Sequence, residues 1–316
     1  MSQAALTPIV PWSAADIGDQ RGRTFLVTGA NSGLGFATTR ELARRGAHVI
    51  MAVRDLDKGA AARGELESAL ERPSLELRRL DLLELGSVRS LAKDLLDERR
   101  SIDVLVNNAG FGGGPHQVSP EGMESTLAAN HLGHFALTGL LFDRIAESQD
   151  PRVVTVTSGF IRLGTPRIPF DNLDGKRGWS AGRAYVESKL ANALFGLELS
   201  RRLRAAGSRV KSVLAHPGFS ATPMQQKATG VVGVIARVMS ALFALPTEVG
   251  VLGQLYAATA DGVEGGELIG PGKRDGRGRP SVEPTGKPAM DLDAARRLWE
   301  VSERLSGVRF SASIGA

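Results

Sequence analysis

Thr24-Phe25-Leu26-Val27-Thr28-Gly29-Ala30-Asn31-Ser32-Gly33-Leu34-Gly35 is the stretch on which the reading of this sequence turns. Residues 24–28 are β-branched, aliphatic or aromatic throughout, which predicts a short strand buried on both faces. Apolar residues then recur at helical spacing over 33–45, so the three glycines stand between a strand and a helix. Glycine permits a tight turn and lets a ligand come close to the backbone, and the free amides of a helix start attract an anion. The spacing G-x-x-x-G-x-G departs from the better-known G-x-G-x-x-G fingerprint, yet its position predicts the same task of cradling phosphate.

Outward from this loop, short aliphatic runs alternate with amphipathic ones. Strands are expected at 24–28, 47–53, 75–80, 103–106, 152–157 and 209–215, with helices near 33–45, 57–70, 86–100, 120–148 and 181–206. Such alternation marks a parallel sheet covered by helices on both faces. The fold class is therefore α/β: a three-layer Rossmann fold, doubly wound, with a parallel sheet of about seven strands and a C-terminal extension. One domain over 1–316 is expected, with an N-terminal arm (1–22), a substrate flap (219–246) and a C-terminal loop and helix (270–316). In that last part, 270–288 is rich in Gly, Pro and Arg and reads as surface loop, whereas 291–305 carries a capped amphipathic pattern.

Composition narrows the function classes. Hydrophobic residues make up 42% and charged residues 23% of the chain, as in ordinary globular proteins. The net charge of +5 is spread among interspersed charges, so an anionic small ligand explains it without nucleic acid. With Cys 0, disulfides, thiol nucleophiles and cysteine metal sites are excluded. Residues 1–20 have no cationic start followed by an apolar run, which leads us to expect a cytoplasmic protein. The apolar stretch 230–246 is interrupted by Arg237 and is shorter than a span of about 20 residues, so no transmembrane segment is expected. Peripheral membrane contact is left open.

The second strand ends at Val53 and Arg54 follows. A guanidinium there suits a ribose 2′-phosphate, whereas a carboxylate would suit a 2′-hydroxyl, so Arg54 favours NADP(H) over NAD(H). A shift of one residue would present Asp55 instead. Farther on, Tyr185-Val186-Glu187-Ser188-Lys189 lies within a predicted helix, where a spacing of four puts Tyr185 and Lys189 on one face. An adjacent ammonium favours a phenolate and should lower the tyrosine pKa from about 10, turning a poor proton exchanger into a useful one.

With the glycine loop and this pair together, the sequence resembles the short-chain dehydrogenase/reductase family. The ordered landmarks are Thr28 to Gly35, Asp81-Leu82, Asn107-Asn108-Ala109-Gly110, Asn130, Ser158, Tyr185 with Lys189, and Pro217-Gly218. Phe170-Asp171-Asn172-Leu173, Trp299-Glu300-Val301-Ser302 and Trp12 to Ile17 are similar to the retinol dehydrogenase and protochlorophyllide-reductase-like branch. The segment between Ser158 and Tyr185 is longer than in most of the family, which puts the relative placement of those two groups in question.

The resemblance implies hydride transfer between NADP(H) and a carbonyl or alcohol, with Asn130, Ser158, Tyr185 and Lys189 as the catalytic set. Tyr185 would be the general acid/base, Ser158 would donate to the substrate oxygen in preference to Thr157, and Asn130 would anchor a water leading protons from Lys189. For the cofactor it implies Gly29, Asn31, Ser32, Gly33, Leu34 and Gly35 at the phosphates, Asp81 and Leu82 at the adenine, and Asn108, Ala109 and Gly110 beside the ring system. Tyr185 and Lys189 would also touch the cofactor, while Pro217, Gly218 and Thr222 would line its nicotinamide end. The apolar run 231–245 would form a flap selecting an apolar small-molecule substrate, and the family's homodimers and homotetramers are the expected assemblies. His131 and His134 could share a metal by spacing, but with no third ligand nearby they read as packing or polar histidines. Arg274, Arg277 and Arg279 lack interleaved aromatics and read as a solvated loop rather than an RNA contact. A non-catalytic NADP-binding sensor is the alternative function, although such proteins usually lose the tyrosine or lysine. A nucleotide-sugar epimerase is disfavoured by the glycine spacing.

Overall fold

The structure, a computed structural model, describes residues 12–218, 246–272, 279–311 and 314. Thr222, the apolar run 231–245, Arg274 and Arg277 lie outside the described residues.

Among the described residues eight strands form one sheet in the order β3-β2-β1-β4-β5-β6-β7-β8. They are β1 (Thr24–Thr28), β2 (His48–Val53), β3 (Ser74–Arg79), β4 (Val104–Asn107), β5 (Arg152–Val156), β6 (Lys211–Ala215), β7 (Leu268–Gly270) and β8 (Ser281–Val282). Every pairing from β3 to β7 is parallel, and β8 closes the edge antiparallel to β7. Chain order reverses between β1 and β4, which makes their carboxyl ends the crevice where open α/β sheets bind ligands. The loop expected over 270–288 thus contains a strand: β8 is too short and too polar at Ser281 to show a period, and its pairing with β7 is visible only in three dimensions.

Helices α1 (Gly33–Arg44), α2 (Leu56–Ala69) and α8 (Leu252–Thr259), the last preceded by the single turn α7 (Thr247–Gly250), cover one face, over a core that includes Phe25, Val27, Met51 and Val154. Helices α3 (Leu85–Asp97), α5 (Gly133–Ala146) and α6 (Ala181–Ala205) cover the other, over Leu26, Ile50, Leu105 and Val153. Alternate residues of each central strand therefore face opposite layers, both apolar. The last helix, α9 (Leu292–Ser306), begins at the Asp291 cap and lies outside α6 and α5. Its Trp299 joins an aromatic cluster with Phe135, Phe195 and Phe310. On the opposite face the arm returns through Trp12, edge-on to Tyr256 at 5.2 Å. Among the described residues, no helix is long and apolar enough to cross a membrane.

The single helix expected over 120–148 is instead three pieces: α4 (Ser125–Leu127), a π-helical turn (Ala128–Leu132) and α5. Such a widened turn often marks a functional position. Here it contains Asn130 and His131.

Candidate active site

The glycine loop folds as its residues require. Gly29 and Gly33 both have positive φ, +68° and +53°, which a side chain would resist. A Cβ at Gly35 would overlap the Gly29 carbonyl oxygen and lie 2.6 Å from Asn108 Nδ2, so the start of α1 can approach the turn only as glycine. Ser32 occupies the N-cap of α1 and its hydroxyl bonds none of the helix amides, so the first-turn amides are not spent on a side-chain cap. Asn31 and Leu34 are half-buried beside them.

Arg54 is exposed directly after β2. The Asp55 carboxylate is committed elsewhere: it caps α2 by accepting from Lys58 N at 3.0 Å, and it pairs with Lys58 Nζ at 2.6 Å. Among the described residues no carboxylate pairs with Arg54. Asp81 is half-buried and accepts from Leu83 N at 3.0 Å, a local turn bond that leaves its second oxygen unspent. Leu82 is buried against the start of α5, where Gly133 leaves room for it.

Between the loop and the catalytic face runs a buried hydrogen-bond chain. The Thr28 hydroxyl accepts from Asn108 N at 3.0 Å and from Ala109 N at 2.9 Å, while Asn108 Nδ2 donates to the Thr28 carbonyl at 2.8 Å. His134 Nδ1 lies 2.9 Å from the Asn130 carbonyl, which can only accept, so Nδ1 carries the proton. Its Nε2 then accepts from the Thr28 hydroxyl at 2.9 Å. Burial, with the Lys189 charge adding to it, lowers the His134 pKa to about 4, consistent with this neutral ring. His131 donates to the Ser302 hydroxyl at 2.8 Å, since that hydroxyl is itself spent on the Leu298 carbonyl. Both histidines thus serve polar ties within the layers.

Asn130 holds the next segment. Its amide exchanges two bonds with the backbone of Phe111, each 2.9 Å, and donates to the Ser188 hydroxyl at 2.9 Å. Its side chain is therefore occupied by protein, and its carbonyl is shared with His134. These bonds place Gly110 opposite Lys189: a Cβ at Gly110 would lie 3.2 Å from Lys189 Nζ and 3.1 Å from Asn130 Oδ1.

Tyr185 and Lys189 do share one face of α6, with Nζ 6.0 Å from the centre of the phenol ring. Lys189 is buried, its Nζ donates to the Val156 carbonyl at 3.1 Å, and burial lowers its pKa to about 8. Ser158 stands close enough to the phenol to lower its pKa, despite the long segment between them. Thr157 donates instead to the Lys189 carbonyl at 2.7 Å and is buried, so of the two hydroxyls it is Ser158 that meets the tyrosine. One expectation is corrected: burial raises the Tyr185 pKa, and Ser158 offsets this only in part. Desolvation of the phenolate is the dominant cause.

Pro217 and Gly218 follow β6 at the same sheet edge, Gly218 with φ +66° and its N–H donating to His216 Nδ1 at 3.2 Å. The tie between Thr28 and His134, and the place of His216 in the site, do not show in the sequence. A histidine four residues after Asn130 was the available signal for one of them. Arg162 and Glu283, which meet His216, lie too far apart in sequence for any pattern.

A family model described as "short chain dehydrogenase" matches residues 23–230. Retinol dehydrogenase 11 of Mus musculus is 38% identical over 287 residues, covering 91% of this chain and 87% of that protein. Retinol dehydrogenase 14 of Homo sapiens is 37% identical over 311 residues, covering 93% and 89%. An uncharacterised protein from Mycobacterium paratuberculosis has a crystal structure similar to this one, with TM-score 0.77, 41% identity and coverage of 96% and 100%. A structure described as an NAD(P)-dependent gluconate 5-dehydrogenase of Beutenbergia cavernae, with bound NADP, aligns with TM-score 0.62 at 26% identity over 78% of this chain and 94% of its own. Sheet order, glycine loop and these similarities agree that the chain belongs to the short-chain dehydrogenase/reductase family of oxidoreductases, in its retinol dehydrogenase-like branch.

Proposed function

We infer that this protein reduces an apolar carbonyl, or oxidises the matching alcohol, using NADP(H), with Tyr185 exchanging the proton. The relatives' names point to an alcohol of retinol's type as the substrate class. The observation that carries the reading is the meeting of Ser158, Tyr185 and buried Lys189 at the sheet edge shared with the glycine loop.

The residues present fit a dinucleotide. Gly29 to Gly35 offer amides and close backbone approach to a pyrophosphate, and exposed Arg54 offers a guanidinium to a 2′-phosphate. Asp81 and Leu82 would flank an adenine, and Asn108, Ala109, Gly110, Pro217 and Gly218 the other end. Bound there, NADP(H) supplies or accepts the hydride at the substrate carbon.

The chain's own residues handle the oxygen. Ser158 holds it by a hydrogen bond as charge develops, and Tyr185 adds or removes its proton. A phenol whose pKa is raised by burial keeps its proton at neutral pH, which suits the donor role in carbonyl reduction. Lys189 supplies positive charge below its pKa of about 8 and steadies the tyrosine as the proton leaves. Asn130 acts through Phe111 and Ser188, keeping the Gly110 segment open beside Lys189.

Purified protein should oxidise NADPH, followed at the nicotinamide absorption band, with at least one member of a panel of apolar aldehydes and ketones that includes retinal. Silence across the whole panel, in both directions of reaction, would overturn the reading.

A further inference from the structure

His216, Arg162 and Glu283 come from three segments and meet at the catalytic edge. His216 directly follows β6 and is buried, its backbone N donating to Ile269 O at 2.9 Å. Arg162 closes the short helical turn Gly159–Arg162, whose N-cap is Ser158. Glu283 follows β8, its N donating to Leu268 O at 2.8 Å. One Glu283 oxygen receives both partners: Arg162 Nη1 at 2.6 Å and His216 Nε2 at 3.2 Å. Its other oxygen accepts from Gly272 N at 3.2 Å.

The tautomer follows from the backbone. Gly218 N–H donates to His216 Nδ1, so Nδ1 has no proton and Nε2–H points to Glu283. Arg162 Nη2, 3.0 Å from Nε2, then meets another donor and makes no hydrogen bond to the ring; the guanidinium is held through Nη1 on the carboxylate oxygen that it shares with Nε2. Burial would raise the Glu283 pKa, but the His216 bond and the bond and charge of Arg162 hold it below the usual carboxylate range, so the carboxylate stays ionised. Gly270 leaves the space that Glu283 and His216 occupy, since any side chain there would overlap both.

We propose that Arg162, Glu283 and His216 form a positioning triad that locks the Ser158 turn to the Pro217-Gly218 turn. The inference rests on the functional reading above, in which these two turns bracket the reacting end of the cofactor. Its physical content is orientation: the carboxylate fixes the imidazole, the imidazole fixes the Gly218 amide, and the guanidinium ties both to the turn that carries Ser158. It also gives the antiparallel strand β8 a task, as the support of Glu283.

Two histidine replacements separate this from simple packing. Asparagine keeps an acceptor near the position of Nδ1, while glutamine keeps a donor near Nε2 but offers Gly218 nothing. Loss of alignment at a reacting centre commonly costs on the order of tenfold or more in rate, so E283Q and H216Q should lower kcat about that far, per NADPH-binding site, with NADPH Kd within about threefold of wild type. H216N should retain several times the kcat of H216Q. By NMR hydrogen exchange, the Gly218 amide should stay protected in wild type and H216N and exchange fast in H216Q. Equal kcat in H216N and H216Q, or unchanged Gly218 exchange in H216Q, would overturn the triad. Wild-type protein that turns over no carbonyl would sink the functional reading instead, and the exchange measurement would still decide whether the triad holds the turn.

Discussion

Acid should unfold this protein earlier than its carboxylates alone would require, because two imidazoles are buried neutral. His131 sits among the rings of Phe135 and Phe195, at 6.1 and 6.0 Å between centres, and burial lowers its pKa to about 3. His134, one turn on, is lowered to about 4. In the unfolded chain both titrate near 6.5, so between that value and the native ones the unfolded state binds more protons and stability rises with pH. Their contribution is whole above about pH 6.5 and drains away as pH falls, at about 1.4 kcal/mol per unit for each ring. From pH 6.5 to pH 5 the two rings together account for a loss of roughly 3 kcal/mol. Urea unfolding at a series of pH values measures this directly, with H131Q as the comparison. Glutamine preserves a donor to the Ser302 hydroxyl but does not titrate, so the variant should show a slope shallower by about 1.4 kcal/mol per unit. Parallel slopes in the two proteins would refute the reasoning, since they would mean that His131 protonates as readily folded as unfolded.

Three further outcomes are expected. G35A places a methyl against the Gly29 carbonyl and 2.6 Å from Asn108 Nδ2, and should cost about 1–3 kcal/mol in thermal unfolding while weakening NADPH binding; a variant unchanged in both would contradict the close approach. R54Q removes a bond to a charged group worth about 1.5–3 kcal/mol, so NADPH Kd should rise tenfold or more with NADH Kd little changed, and an equal effect on both cofactors would argue that Arg54 does not meet a 2′-phosphate. W299A empties a site where the indole lies 4.6 Å from Phe310 and the Arg202 guanidinium 4.3 Å above the ring; calorimetry should show a loss of about 3–5 kcal/mol, and a loss under 1 would mean that α9 is only loosely attached.

Much of the site could be read from the residues because its chemistry is local. The run from Thr24 to Gly35 has a strand, a turn and a helix start in one piece, and Tyr185 and Lys189 are joined by helical spacing alone. What escaped is what depends on distant partners. β8 is two residues long and exists only because β7 lies beside it. The π turn at Ala128–Leu132 interrupts a helix whose apolar period gives no sign of it, and the ties from His134 to Thr28 and from His216 to Glu283 span 106 and 67 residues. The direction of the Tyr185 shift is hidden from the sequence for a related reason. Spacing discloses the nearby ammonium, but the burial that sets the direction is a property of the packed site.

The sharpest test of the account is Tyr185→Phe assayed twice on the same preparation, by NADPH titration and by single-turnover reduction of an apolar aldehyde that the wild type accepts. Phenylalanine fills the same space without the hydroxyl, so NADPH affinity should stay within about twofold while the rate falls by at least the 10²–10⁴-fold typical of a lost proton donor. Undiminished reduction by the variant would show that the substrate oxygen takes its proton from another group.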